Sequence, residues 1–141
     1  MNILKMAKIA TKVLKSWNID YEEEWKGTEN VSYNSELYLR DLDTTFTLCI
    51  DLFDDGDLFF AAIFAVENVD RNLYELTNDY ASNSLYFRPY IDAENKCVFI
   101  DSEVHTYDVK EVQSEIERLL NEFLSDKNIS NLEKFSSYIV K

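Results

Sequence analysis

The chain has 141 residues, a length that suits one domain spanning residues 1–141. It carries 27 acidic against 14 basic side chains, a formal net charge of -13. A surface of that sign repels nucleic-acid phosphates and anionic lipid, whose binding needs clustered Lys and Arg. A hydrophobic content of 46% with only two Gly and one Pro predicts a packed core and little material for linkers.

The acidic balance favours basic protein partners, or mimicry of nucleic acid; the plainer reading is that it keeps the protein dispersed in water. Cys49 and Cys97 lie in apolar strand patterns, where Cys behaves as a small hydrophobe. The N-terminal stretch MNILKMAKIATKVLKSW spaces lysines through its apolar positions, unlike a secretory signal. No apolar run approaches the roughly 20 residues that span a bilayer. A reducing, cytoplasmic setting is expected.

In chain order, residues 2–18 read as a helix. Ile3, Met6, Ala7, Ala10, Val13, Leu14 and Trp17 recur at three- and four-residue spacing. Lys5, Lys8, Lys12 and Lys15 line the other side, either as a solvated face paired with acidic neighbours or as a docking face. Tyr21 to Asn34 is polar, contains the run Glu22-Glu23-Glu24 and is expected to be a loop, with a short edge strand weighed near Tyr21 to Trp25. Ser35 to Leu39 alternates as a strand.

Thr44 to Val66 is the predicted centre of a sheet. Phe46, Leu48, Ile50 and Leu52 alternate with Thr45, Thr47, Cys49 and Asp51, the mark of a strand with one buried face. Asp54-Asp55-Gly56-Asp57 is a turn. Leu58 to Val66 is almost wholly apolar, the pattern of a strand covered on both faces.

Beyond it, Val69, Leu73, Leu76 and Tyr80 predict a short helix capped by Asp70. Leu85 to Ile91 alternates again, and Pro89 places this strand near an edge. Its row Tyr86, Arg88 and Tyr90 is a candidate protein-binding surface, because Tyr and Arg bury much area at low entropic cost; the competing reading packs the row beneath a helix. Cys97 to Val104 is the last strand. Asp108 and Glu111 have capping-box spacing ahead of an amphipathic helix with Val109, Val112, Ile116, Leu119, Leu120, Phe123 and Leu124 on one stripe. Asp126 to Asn128 interrupts it, and Ile129 to Val140 reads as a final helix. The fold class is α+β: helix, three-stranded antiparallel meander, helix, β-hairpin, long C-terminal helix.

No catalytic, metal or cofactor site is expected. His105 is the one histidine, and Gly27 and Gly56 are too few for phosphate loops or nucleophile elbows. An EF-hand with Gly56 sixth would place Phe53 third and Ala62 twelfth, where oxygen ligands are required. Among 27 acids, any single carboxylate pair is uninformative.

The stretch from Leu73 to Leu124, LYELTNDYASNSLYFRPYIDAENKCVFIDSEVHTYDVKEVQSEIERLLNEFL, resembles the bacterial YbjN family within the type III secretion chaperone-like fold. A short helix containing Asn78 leads to an aromatic strand, an acidic turn at Asp92, an apolar strand and a long amphipathic helix. Where that family often has a second Asn, this chain has Ala81 and Ser82. The resemblance implies a non-enzymatic protein that binds other proteins, chaperone-like or regulatory, and commonly a homodimer. It supplies no catalytic residues. The alternative is an acidic inhibitor, an immunity protein or phage-encoded DNA mimic, blocking a basic toxin or nucleic-acid-binding protein. In that reading the Glu22, Glu23, Glu24 run joins Tyr86, Arg88 and Tyr90 as a binding surface.

Overall fold

The computed structural model describes residues 1–141. The first helix, α1, is Ile3–Ser16; the Asn2 side chain caps it by accepting from the Lys5 N–H at 3.1 Å. Its buried stripe is Met6, Ala7, Ala10, Val13 and Leu14. Four strands follow, each antiparallel to the next: β1 (Glu22–Lys26), β2 (Asn30–Leu39), β3 (Thr44–Phe53) and β4 (Asp57–Ala65). The helix α2 (Arg71–Ser82) is capped by Asp70, which accepts from the Leu73 N–H at 3.0 Å. The hairpin β5 (Arg88–Asp92) and β6 (Cys97–His105) returns to the sheet. Two helices, α3 (Val109–Phe123) and α4 (Asp126–Leu132), close the chain.

The strand order is β1-β2-β3-β4-β6-β5, so the hairpin adds its second strand to β4 and leaves its first at the edge. This is the predicted α+β arrangement, with the edge strand β1 as a fourth member of the meander. No helix is long and apolar enough to cross a membrane.

All helices pack on one face of the sheet. That face carries Tyr33 from β2, Phe46 and Ile50 from β3, and Phe60 and Phe64 from β4. Phe123 of α3 sits within 5.8 Å, centroid to centroid, of Phe46, Phe60 and Phe87. Phe135, just past α4, meets Phe64 and Tyr80. The buried Tyr33 hydroxyl lies 3.3 Å from the Ala7 carbonyl oxygen of α1 and 3.1 Å from a Glu23 carboxylate oxygen. Buried polar pairs tie α2 to α4: Tyr80 donates to Asn128 at 2.7 Å, and Asn131 donates to the Tyr80 carbonyl at 3.0 Å.

Four expectations need correction. Residues 30–34, expected as loop, are the first half of β2, their backbone paired with β1 on one side and β3 on the other. β4 is covered on one face only: Leu58, Phe60, Ala62 and Phe64 are buried, while Phe59, Ala61 and Ile63 point the other way. The strand expected from Leu85 begins at Arg88, because the Phe87 N–H donates to the Ser84 hydroxyl and holds residues 84–87 as a loop. The break at 126–128 is a helix start, with Ser125 as its cap; α4 stops at Leu132, and Ile139 forms an isolated bridge to Val66. The cap of α3 also differs in detail, since Asp108 accepts from Lys110 and Glu111 reaches the Tyr107 N–H.

Candidate protein-binding surface

The face opposite the helices has no covering layer. Antiparallel register lines its side chains into rows, because directly paired residues share a face. One row runs Glu24, Ser32, Asp51, Phe59, Glu103. The next is Glu22, Asn34, Cys49, Ala61, Asp101, Arg88, and a third is Glu36, Thr47, Ile63, Phe99, Tyr90.

Apolar side chains therefore cross the middle of this face. Phe53 packs on Phe59 at 5.6 Å, Ala61 and Ile63 follow on β4, and Phe99 packs edge-on against Tyr90 at 5.9 Å. Phe59 is 37% exposed and Tyr90 61%. Around them stand the carboxylates of Glu22, Glu24, Glu36, Asp51, Asp92, Asp101 and Glu103. The cations on these strands are Arg88, held 3.7 Å from Asp101, and Lys26. An apolar centre inside a carboxylate frame complements a surface that is apolar and cationic.

Burial pushes the Cys49 thiol up to about 12, and Asp51, whose carboxylate accepts its S–H at 3.5 Å, adds to the effect. Burial also raises Asp101, while Arg88 pulls it down. Asp92 is held low by the Asn95 side-chain and backbone donors in the β5–β6 turn. Both cysteines are free thiols.

The sequence-predicted site residues divide between the two faces. Arg88 and Tyr90 stand on the uncovered face. Tyr86 precedes the strand, and its ring lies 5.0 Å beneath the Arg118 guanidinium of α3, so it does not share their row. The glutamate run splits by strand alternation: Glu22 and Glu24 face with Asn34 and Ser32, whereas Glu23 turns to the helical side and its carboxylate meets Tyr33 and the Trp25 indole N–H. Phe59, Ile63 and Phe99 belong to the surface although composition reads them as core. No polar alternation marks them: residues 58–65 are apolar throughout, and Phe99 lies among Cys97, Val98 and Ile100, so only the strand pairing shows which way they face.

His105 ends β6, with Nδ1 2.6 Å from an Asp57 carboxylate oxygen and its ring against Tyr107. No group of three or more His, Cys, Asp or Glu is placed to hold a metal ion. Lys5, Lys8, Lys12 and Lys15 on α1 are exposed, and none makes an ion pair, so the expected pairing with acidic neighbours is not what this helix shows.

Comparison of the chain with family models, with curated proteins and with solved structures finds no match.

Proposed function

We propose that the protein is a non-enzymatic binding module whose uncovered sheet face takes a cationic, partly apolar segment of another protein. The observation that carries this reading is the apolar stripe from Phe59 through Ile63 and Phe99 to Tyr90, set among acidic side chains and left without a covering layer. A contiguous apolar patch rimmed by polar groups is a common signature of a contact surface. Chaperone-like or regulatory action follows from it: the module holds a partner segment and need not change it chemically. The helix, strands, helix, hairpin, helix order supports the likeness to YbjN-like and type III secretion chaperone-like proteins, and the free thiols support a reducing cytoplasmic setting.

The excess of carboxylates on the same face supports a second reading, an acidic inhibitor that occupies the basic surface of a toxin or nucleic-acid-binding protein. Self-association through Arg88 and Tyr90 is a further use of this face; light scattering at high concentration tests it against the 16.6 kDa monomer.

The direct test titrates isotope-labelled protein with a helical Lys/Leu amphipathic peptide of about 18 residues, and with its Glu/Leu counterpart. The expected result is that amide shifts for the cationic peptide map to β3, β4 and β6, and that Phe59→Asp removes them. Shifts of equal size with the acidic peptide, or shifts confined to the helical side, would refute the assignment.

A further inference from the structure

The outer edges of the sheet are guarded unequally. β1 carries Glu22, Glu23, Glu24 and Lys26, charges that blunt an edge against added strands. On β5 the register points Pro89 and Ile91 outward, and Pro89 has no N–H to offer. The remaining stretch lies on β6 itself. β5 pairs with β6 only from Cys97 to Asp101, while β6 continues to His105.

Backbone alternation settles which groups are left free there. The Val66 N–H bonds to the Lys96 carbonyl, and the Thr106 N–H bonds to the Gly56 carbonyl. Even-numbered residues of β6 therefore turn their peptide groups toward β4, and odd-numbered residues turn theirs away. Beyond the end of β5, Glu103 and His105 present N–H and C=O to the outside with no bonding partner in the chain. A depression of about 520 Å³ adjoins them, bounded by Ala81, Leu85, Tyr86, Arg88, Glu103 and His105. Leu85, on its wall, is 84% exposed. Thr106 pins the end of β6 to Gly56 through two bonds of 2.8 Å, so the edge is held in strand geometry without a neighbour.

We propose that this notch binds an extended peptide segment of another protein, which adds to β6 as a short antiparallel strand at Glu103 and His105, with cationic side chains alternating with apolar ones. The complement of two outward N–H and C=O sets at strand spacing is another extended backbone. Residues of the added strand opposite Glu103 and His105 share the uncovered face, where the Glu103 carboxylate has no ion pair. Those positions take Lys or Arg. The residues between them turn to the helical side and meet Leu85 and Tyr86, so they are apolar. This site shares Glu103 with the carboxylate frame beside Phe59, but its backbone pairing at Glu103 and His105 does not rest on the apolar stripe being occupied.

The probe is an alternating Lys-Val peptide of about eight residues, long enough to cover the notch at strand rise. It is titrated into the isotope-labelled full chain. The expected result is that the Glu103 and His105 amides shift and exchange more slowly with solvent. N-methylation of the Lys residues, whose N–H groups face β6, weakens binding about tenfold or more, whereas N-methylation of the Val residues does not. Glu103→Pro, which removes an outward donor and spares the ladder to β4, has the same effect as N-methyl-Lys. Equal loss with N-methyl-Val, or no binding at all, overturns the proposal. Binding abolished by Phe59→Asp but unchanged by Glu103→Pro also overturns it, and places the peptide on the uncovered face instead.

Discussion

Gly56 and Thr106 lock the central hairpin to the end of the last strand. The Gly56 carbonyl accepts both the Thr106 N–H and the Thr106 hydroxyl, each at 2.8 Å, and Thr106 is fully buried. Gly56 has φ +101, and a Cβ built on it would stand 2.1 Å from the Thr106 carbonyl oxygen. Gly27, in the β1–β2 turn, also has positive φ but nothing within 4 Å.

The two glycines should therefore respond differently to the same change. Gly56→Ala combines backbone strain with a clash against main chain and should cost about 2 kcal/mol or more. Gly27→Ala meets strain alone and should cost about 1 kcal/mol. Urea midpoints measure both; equal losses would mean that the Thr106 contact moves aside freely.

Cys49 gives a prediction in pH. Its thiol is held protonated up to about 12, against 9.0 ordinarily, by burial and by Asp51. The unfolded chain ionises this thiol above its ordinary value, while the folded chain keeps the proton. Stability should therefore fall as pH rises from about 9 toward 12. Near pH 8 the folded protein should react slowly with thiol reagents at Cys49, and urea should restore a fast rate. Rapid labelling of native Cys49 would show that the half-buried thiol is not held protonated beside Asp51 as described.

Much of this architecture is legible in the sequence, and the losses have physical causes. Thr44 to Leu52 alternates cleanly because its outward side chains are Thr, Cys and Asp, and the strand is found there, one residue longer with Phe53. In β4 the outward positions are Phe59, Ala61 and Ile63, so polarity no longer marks the exposed face, and the pattern imitates a strand buried twice. Residues 84–87 keep strand-like alternation, yet the Ser84 hydroxyl captures the Phe87 N–H and forms a loop; hydropathy does not register a hydrogen bond of that kind. The division of Glu22, Glu23 and Glu24 follows from β1 being a strand. Three acids in a row look like one patch until the pleat separates them.

That separation is testable. Tyr33 is buried, and its hydroxyl reaches Glu23, so Tyr33→Phe should cost about 1 kcal/mol. Glu22→Gln with Glu24→Gln touches exposed side chains only and should stay within about 0.5 kcal/mol of wild type. Thermal denaturation of the three proteins decides it; a double Gln variant as unstable as Tyr33→Phe would contradict the assignment of Glu22 and Glu24 to the uncovered face.

The same double variant separates the two readings of function when binding is followed in time. Exposed carboxylates act at a distance and are screened beyond about 8 Å at physiological ionic strength, so they set how fast a cationic partner arrives. The apolar stripe acts only in contact, so it sets how slowly the partner leaves. With the Lys/Leu peptide as ligand, association should slow roughly tenfold between low and high salt, and dissociation should hold nearly constant. Glu22→Gln with Glu24→Gln should flatten the salt slope of association. Phe59→Asp should speed dissociation and leave that slope in place. Stopped-flow traces of the three proteins at two salt concentrations resolve these rates. If dissociation itself accelerates steeply with salt and Phe59→Asp leaves it unchanged, charge alone holds the ligand, and the acidic inhibitor becomes the better reading. Nearly constant dissociation that depends on Phe59 fits a module that grips a partner segment through apolar contact.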